Sequence, residues 1–166
     1  MAAGRRWPLV GALLLAAAVS GSGPAAARPD AQVVVRDERG TILARVSLPD
    51  GALMTLRYRN SLYGSLAEER FAVQEQTLRL VELAADERAV LDEYYVIAGP
   101  AERTGGGDTR RWRGTPRDAL TLERLAVAAT DLGERVLLVP GRAPIELWRL
   151  VDDREPTVII ALEPSG

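Results

Sequence analysis

Short apolar runs recur along this chain, and each is bounded by residues that favour turns. Three examples are AQVVVRD at 31–37, TILARVSL at 41–48 and LMTLRYR at 53–59, in which β-branched and other apolar side chains alternate with polar ones. This spacing is typical of antiparallel strands with short connections and not of strands that alternate with helices. The pattern predicts an all-β fold, a single antiparallel β-sandwich or partly open barrel of about eight to ten short strands.

Two segments fit a strand less well. Residues 86–95 (DERAVLDEYY) have helical propensity, and 115–132 begins with Thr-Pro and is followed by Gly133, as a helix often does. If the second segment is a strand, a bulge near Glu123 must correct the alternation between Leu122 and Leu125. We expect a strand in its second half, and the type of 86–95 stays open.

Between these segments, residues 102–118 are rich in glycine and arginine and show no apolar period. They predict a long, flexible surface loop. Gly105–Gly107 lack the flanking residues of a phosphate-binding loop, so no nucleotide is expected there. The arginines around the tryptophan could contact an acidic patch on a partner protein, and a mobile, solvated loop is the alternative. These candidate partner-loop residues are Arg110, Arg111, Trp112 and Arg113.

The first 27 residues resemble an export signal, with Arg5 and Arg6, an apolar run at 9–19 and small residues up to Ala27. The run is shorter than the ~20 apolar residues of a membrane-spanning helix, so an uncleaved membrane anchor is the lesser alternative. Cleavage would leave 28–166 as a single β-rich domain with no membrane span. We expect an exported protein, periplasmic or extracellular.

The composition excludes several classes of function. The chain has no histidine, cysteine or lysine, since all 21 basic residues are arginines. The common general base, the thiolate nucleophile, the Schiff-base amine and the usual zinc ligands are therefore missing. Without the arginines of the export signal, 19 arginines face 23 acidic residues. This mildly acidic balance argues against binding nucleic acid or an anionic membrane. We expect no metal site and no cofactor.

The segment RYRNSLYGSLAEERF, at 57–71, contains the main candidate site. Because side chains alternate across a strand, Tyr58 should face the core and Asn60 should lie at the rim of the same face. On the following strand, the Glu69 side chain should point to the same face as Phe71, two residues farther on. If Tyr58 pairs with Phe71, Asn60 falls opposite Glu69, within the ~5 Å of cross-strand neighbours. The loop 61–68, which begins at Ser61, would then cross the end of the core.

Two functions of this pair remain open. Asn60 and Glu69 could together clamp the long loop through hydrogen bonds. Alternatively, a partly buried carboxylate at the mouth of a β-core could form a ligand or partner site. The candidate residues for either function are Tyr58, Asn60, Ser61, Glu69 and Phe71.

The neighbouring acidic pairs of the chain do not predict a catalytic centre. Adjacent residues on a strand point to opposite faces, so neither member of a pair can assist the other. We expect these side chains to be solvated surface charges and assign no catalytic residue. The pairs are Glu68 with Glu69, Asp92 with Glu93, and Asp152 with Asp153. Tyr94 and Trp148 are expected in the core.

The same segment resembles a family of small exported bacterial domains, the domain of unknown function 1850 family, often encoded beside TRAP transporters of the TAXI class. Its pattern is an aromatic residue, then His-Ser two positions on, then a hydrophobic residue and, farther along, Glu with an aromatic two positions beyond. The matching residues are Tyr58, Ser61, Leu62, Glu69 and Phe71. Asn60 replaces the family's histidine. Asparagine can neither transfer protons near neutral pH nor bind metals well, so the replacement favours the clamp.

The sequence therefore favours a non-enzymatic extracytoplasmic β-domain. It would be an accessory or protein-interaction module with an envelope protein as partner, and the resemblance implies a link to TRAP/TAXI solute uptake. The alternative is a small-molecule-binding or carboxylate-dependent enzymatic domain with its site around Asn60, Ser61 and Glu69.

Overall fold

The computed structural model describes residues 31–48, 51–74 and 76–164. The expected export signal at 1–27 lies outside these residues. The described chain contains twelve strands, one α-helix and one short 3₁₀-helix (Leu147–Arg149). In chain order the elements are β1 (Ala31–Asp37), β2 (Ile42–Leu48), β3 (Leu53–Arg59), β4 (Leu66–Gln74), β5 (Thr77–Ala85), α1 (Arg88–Tyr94), β6 (Glu102–Arg103), β7 (Trp112–Gly114), β8 (Thr121–Leu122), β9 (Arg124–Ala128), β10 (Val136–Leu138), β11 (Ile145–Glu146) and β12 (Thr157–Pro164).

The strands form two antiparallel sheets. The small sheet has the order β2-β1-β12-β9. The large sheet has the order β11-β10-β3-β4-β5-β7-β6, and β8 pairs with β5 beside this path. The predicted all-β, antiparallel class is confirmed, and neither sheet closes on itself. The strand count of about eight to ten is too low because β6, β7 and β8 have only two or three residues in segments without a clear apolar period.

The hydrophobic core lies between the two sheets. Alternation places one apolar set of each strand in this core, as the strand period requires. The small sheet contributes Val33, Val35, Val158, Ile160 and Leu162, and the large sheet contributes Met54, Leu56, Phe71, Leu78 and Leu83. Helix α1 adds the buried Val90 and Leu91, which resolves the open segment 86–95 in favour of a helix.

The expectation that Tyr94 and Trp148 lie in the core is wrong for Tyr94. Tyr94 is the last residue of α1, and its side chain is half exposed. Trp148 belongs to the 3₁₀-helix and is partly buried, with the Arg149 guanidinium 4.6 Å from its ring centre. Neither residue is on a strand, so the strand spacing between apolar neighbours did not apply to them.

The segment 115–132 contains no helix. It forms β8 and β9, which Glu123 separates. Strand β8 pairs with β5 in the large sheet, whereas β9 pairs with β12 in the small one. The strand expected in the second half of this segment is confirmed. At Glu123, where the sequence predicts a bulge, the chain passes from one sheet to the other.

The glycine- and arginine-rich segment 102–118 is expected to be a surface loop, but part of it forms paired strands. It contains β6 and β7, which form a hairpin at the edge of the large sheet. Trp112 in β7 is partly buried, and the guanidinium groups of Arg88 and Arg103 lie 5.8 and 5.9 Å from its ring centre. Residues 104–111 connect the two strands and fold back over the large sheet.

The strand directions bring five connections to one end of the two sheets. We call this region the loop end. Because neighbouring strands are antiparallel, the ends of β1, β3, β5, β9 and β11 all point to it. The loop end consists of residues 38–41, 60–65, 86–95, 129–135 and 147–156.

Candidate functional site

The pairing of β3 with β4 differs from the expected register. Leu56 lies opposite Glu69, and Tyr58 lies opposite Ala67. Phe71 pairs with Met54 and not with Tyr58. The expected pair of Asn60 and Glu69 is therefore wrong. The connection between the two strands spans only 60–65, because β4 already begins at Leu66, and this short connection sets the register. The alternation of apolar residues could not indicate it, because registers that differ by an even number of residues have the same alternation.

Asn60 instead closes its own loop. Its side chain is buried, and its Oδ1 atom accepts hydrogen bonds from the backbone N–H groups of Leu62 at 3.0 Å and Tyr63 at 3.1 Å. Its backbone N–H donates to Ser65 and its carbonyl accepts from Gly64, each at 2.8 Å. Asparagine suits this position because its short amide satisfies backbone donors two and three residues ahead. The amide thus acts within the loop and not across to Glu69.

Glu69 belongs to a chain of three polar side chains on the core face of the large sheet. The Tyr95 hydroxyl donates to the Glu69 carboxylate at 2.7 Å. The hydroxyl oxygens of Tyr58 and Tyr95 are 2.5 Å apart. Since the one proton of Tyr95 points to the carboxylate, Tyr58 donates to Tyr95. The chain links β4, the residue that follows α1, and β3.

Burial raises the pKa of the Tyr95 hydroxyl, and the neighbouring Glu69 charge raises this pKa further. Burial also raises the pKa of Tyr58, although its hydrogen bond with Tyr95 acts in the opposite direction. Both phenols are therefore neutral donors at physiological pH. The sequence did not indicate Tyr95 as a partner of Glu69, because the two residues are 26 positions apart and only the packing of α1 brings them together.

The other candidates of this segment have different positions. Phe71 is fully buried in the core, and Ser61 is exposed in the loop. Tyr58 is partly buried, and the Arg135 guanidinium lies 5.0 Å from its ring centre. The structure thus brings Tyr58 and Glu69 together through Tyr95 and leaves Asn60, Ser61 and Phe71 outside this chain.

Glu68, the neighbour of Glu69, lies on the opposite face of the sheet. Only 3% of its side chain is exposed, so the expectation of a solvated surface charge is wrong for this residue. Its carboxylate accepts from Arg70 at 2.8 Å, from Arg110 at 3.1 Å and from Thr109 at 3.2 Å. The connection 104–111 covers this face and supplies two of these three donors. We call the group the sheet–loop ion cluster; its members are Glu68, Arg70, Glu82, Asp86, Asp108 and Arg110.

Every charge in this cluster has a partner. Arg70 donates to Glu82 at 2.5 Å and to Asp108 at 2.8 Å, and Arg110 donates to Asp86 at 2.9 Å. The hydrogen bonds from Arg70 hold the pKa of the Asp108 carboxyl at about 2. The hydrogen bond with Asp108 in turn raises the pKa of the Arg70 guanidinium. The cluster therefore fixes the connection on the sheet.

The four partner-loop candidates differ in how far they are exposed to solvent. Arg110 is nearly buried in the cluster, so its charge is not presented on the surface. Arg111 and Arg113 are exposed and form surface ion pairs with Glu87 at 3.2 Å and Glu102 at 3.3 Å. Trp112 is partly buried against α1 and the β6–β7 hairpin. Only the two outer arginines of this group face solvent.

The loop end carries a group of exposed apolar side chains that the sequence did not single out. We call it the apolar patch; its members are Leu62 (66% exposed), Tyr63 (37%), Tyr94 (50%) and Leu132 (66%). Three separate connections supply these residues. The Tyr63 hydroxyl donates to Glu93 at 2.7 Å, and the Arg59 backbone N–H donates to the Gly133 carbonyl at 2.8 Å. These bonds tie the three connections together beside the patch residues.

The remaining acidic pairs have structural roles. Asp152 and Asp153 accept hydrogen bonds from the backbone N–H groups of Arg154 and Asp131, at 2.9 and 3.1 Å. Asp92 forms an ion pair with Arg88 along α1. Within 31–48, 51–74 and 76–164, no three acidic side chains are grouped so that they could hold a metal ion. A cleft of about 310 Å³ at the loop end lies between Leu43 and the 150–155 segment, and backbone or arginine bonds already engage its acidic residues.

No protein-family model matches this chain, and no curated protein or solved structure proved similar to it. Among the described residues, no helix has the length and apolar character needed to cross a membrane.

Proposed function

We propose that this protein is a non-enzymatic, extracytoplasmic interaction domain that binds a protein partner through the apolar patch at its loop end. The observation that carries the proposal is the exposure of Leu62, Tyr63, Tyr94 and Leu132 on three connections that hydrogen bonds hold together. Scattered exposed apolar residues are normal, but several of them on connections that are bonded to one another are typical of a protein-binding site.

The rigidity of the surrounding loops supports this role. Asn60 satisfies two backbone donors in the 60–65 loop, so Leu62 and Tyr63 are presented by a closed, hydrogen-bonded turn. A preorganised contact surface loses less conformational entropy on binding than a disordered one. Tyr63 and Tyr94 suit such a surface, because tyrosine is enriched in protein interfaces and among the residues that contribute most to binding.

The export signal expected at 1–27 and the resemblance of the Tyr58–Phe71 segment to the exported-domain family support a location outside the cytoplasm. In the proposal, the partner is an envelope protein of a TRAP/TAXI solute-uptake system. The side-chain chemistry favours binding over catalysis, because the hydrogen bonds of Asn60 are used within its loop and Glu69 is paired with a neutral phenol.

Site-specific photo-crosslinking in cells that produce the protein tests the proposal. A benzophenone amino acid at position 62 or 132 should give a crosslink to one defined protein, and Leu62→Arg in the chain crosslinked from 132 should remove it. Leu53, which is 44% exposed at the start of β3 and far from the loop end, is the matched control and should give none. Equal crosslinking from 53 and 62, or none from 62 and 132, would contradict the proposal.

A further inference from the structure

The free edges of the two sheets are protected to different degrees. An edge strand exposes unpaired backbone N–H and C=O groups, and proteins usually protect such edges with short strands, charges or covering groups. The large sheet ends in β11 and β6, which have two residues each. The small sheet ends in β9, with five residues, and β2, with seven.

The edge of β9 has two protective features. The strand begins with the exposed Arg124. At its other end, the Arg135 side chain donates a 2.7 Å hydrogen bond to the carbonyl of Ala128. A charge and a covering side chain thus occupy both ends of this short strand.

Strand β2 has neither feature. Its sequence, ILARVSL, contains no proline and one charged residue, Arg45. A bulge can protect an edge strand, but the one bulge of β2, at Leu43, lies near the start of the strand and leaves residues 44–48 in regular pairing with β1. The Arg45 guanidinium turns back over its own sheet, where it donates to Gln32 on β1 at 3.0 Å and to Glu163 on β12 at 3.3 Å. The guanidinium therefore does not cover the unpaired backbone groups of the edge, although its charge stays on this face of the sheet. Within the described part of the chain, the backbone of β2 forms hydrogen bonds only with β1.

We propose that β2 pairs antiparallel with β2 of a second copy of this chain, about a two-fold axis. The two small sheets would then form one continuous eight-stranded sheet. Such an interface is self-complementary, because each subunit presents the same strand to the other. The half-buried Ala44 and Val46 at the rim of the core would be covered by the equivalent residues of the partner subunit.

The charge distribution favours a second copy in this antiparallel arrangement. The connections of the loop end contain ten acidic residues and five arginines. Antiparallel pairing of β2 directs the two acidic loop ends away from each other, whereas parallel pairing would bring them together. It also leaves the apolar patch of each subunit free.

The side chains of β2 favour one register. A pair centred on Val46 places Ala44 opposite Leu48 of the partner subunit, and Arg45 opposite Ser47 of the partner subunit. A pair centred on Arg45 would instead place two like charges directly opposite each other, which destabilises a strand pair. In the register centred on Val46, a charge introduced at Ser47 would therefore lie directly opposite Arg45 of the partner subunit.

Sedimentation equilibrium of the purified protein over a concentration series up to about 100 µM should show a reversible dimer. Ser47→Arg adds a like charge opposite Arg45 of the partner subunit and should weaken the dimer several-fold. Ser47→Glu adds an opposite charge and should strengthen it several-fold. Ala126→Arg and Ala126→Glu, at an exposed position on β9 of the same sheet, are the matched controls and should not change the dimer.

A protein that stays monomeric over the whole series would overturn the proposal. A dimer that responds to Ser47→Arg and Ser47→Glu in the same direction, or equally to the Ala126 variants, would overturn it as well. Unfolding midpoints of all four variants ensure that a change in association is not a loss of folding. The result is independent of the crosslinks expected at the apolar patch.

Discussion

Glu68 on β4 and Arg110 in the β6–β7 connection form a 3.1 Å ion pair, although 42 positions separate them in the sequence. The pair lies beneath the connection 104–111, and only 3% of the Glu68 side chain and 10% of the Arg110 side chain are exposed. This relationship converts a glycine- and arginine-rich segment, which resembles a solvated loop in the sequence, into a cover for one face of the large sheet.

Replacing Glu68 should destabilise the fold. Glu68→Gln removes the negative charge between Arg70 and Arg110, and each arginine keeps only its outer partners. Because removing one partner of a buried ion pair leaves the other charge poorly compensated, we expect a loss of about 2 to 4 kcal/mol in the free energy of unfolding. Urea unfolding monitored by circular dichroism measures this loss.

Glu102→Gln provides the control for this variant. Glu102 pairs with Arg113 on the surface, where an ion pair contributes little. If Glu68→Gln and Glu102→Gln unfold at the same urea concentration, the sheet–loop ion cluster does not stabilise the fold.

The contribution of Asp108 to the free energy of unfolding should decrease at acid pH. The hydrogen bonds from Arg70 hold the Asp108 pKa at about 2, below the ordinary value of 3.8. A carboxyl whose pKa is lower in the folded state stabilises the fold above its unfolded pKa, and this stabilisation is lost as the pH falls toward the folded pKa. The protein should therefore exceed Asp108→Asn in stability at pH 7, and the difference should shrink between about pH 4 and pH 2. A difference that stays constant over this range would contradict the role of the Asp108 charge.

Tyr95 should contribute more to stability than Tyr58. Tyr95→Phe removes the donor to the Glu69 carboxylate and the acceptor for Tyr58, so it leaves two polar groups without this partner. We expect a loss of about 1 to 3 kcal/mol for Tyr95→Phe and about 0.5 to 1.5 kcal/mol for Tyr58→Phe. Equilibrium unfolding of both variants tests this order, and an equal or reversed order would show that the chain ending at Glu69 is not formed as described.

Alkaline pH should destabilise the protein through the same pair. The pKa values of Tyr58 and Tyr95 are raised in the folded state, so their contribution is complete below the unfolded pKa of about 10 and is lost as the pH rises above it. The chain has no lysine or cysteine whose titration would overlap with this loss. The free energy of unfolding, measured from pH 9 to about pH 12, should fall more steeply for the protein than for the Tyr58→Phe/Tyr95→Phe double variant. Parallel curves would exclude a contribution of the two phenols.

Asn60 should stabilise its loop without any contribution from Glu69. Asn60→Ala leaves the backbone donors of Leu62 and Tyr63 without their acceptor, which should cost about 1 to 2 kcal/mol. Asn60→Asp keeps an acceptor oxygen and should cost less, and Ser61→Ala, at an exposed position, should have little effect. In a double-mutant cycle of Asn60→Ala with Glu69→Gln, the two losses should add. Strong coupling between the two substitutions would indicate a direct contact between Asn60 and Glu69 and would contradict this prediction.

The sequence pattern predicted some elements well. The runs that became β1 to β5 alternate clearly between apolar and polar residues, and this local signal is sufficient to indicate strands and their core faces. The break in alternation at Glu123 was also visible, but it predicted a bulge within one strand, whereas the chain passes there from one sheet to the other. The short strands β6, β7 and β8 were not visible, since two or three residues do not establish a period.

The candidate site was predicted only in part. Asn60 and Glu69 were both identified as polar residues on the core side of their strands, but their partners were not. The alternation of apolar residues is the same for registers that differ by two or four residues, so it could not exclude the pairing of Asn60 with Glu69. Asn60 meets Leu62 and Tyr63 because the connection is as short as 60–65, and Glu69 meets Tyr95 because α1 packs on the sheet. The apolar patch has no sequence signal of its own, because exposure depends on which neighbours fold over a side chain.

The sequence by itself determined the properties that depend on short stretches and on residue types: the all-β class, the inward faces of the long strands, and the absence of the residues used by most catalytic sites. Only the tertiary structure decided the strand register, the folding of the 104–111 connection over Glu68, and the position of β2 at the edge of the small sheet that the described residues form. These features arise from contacts between residues that are distant in the sequence, and no local period encodes which distant partner a side chain will meet.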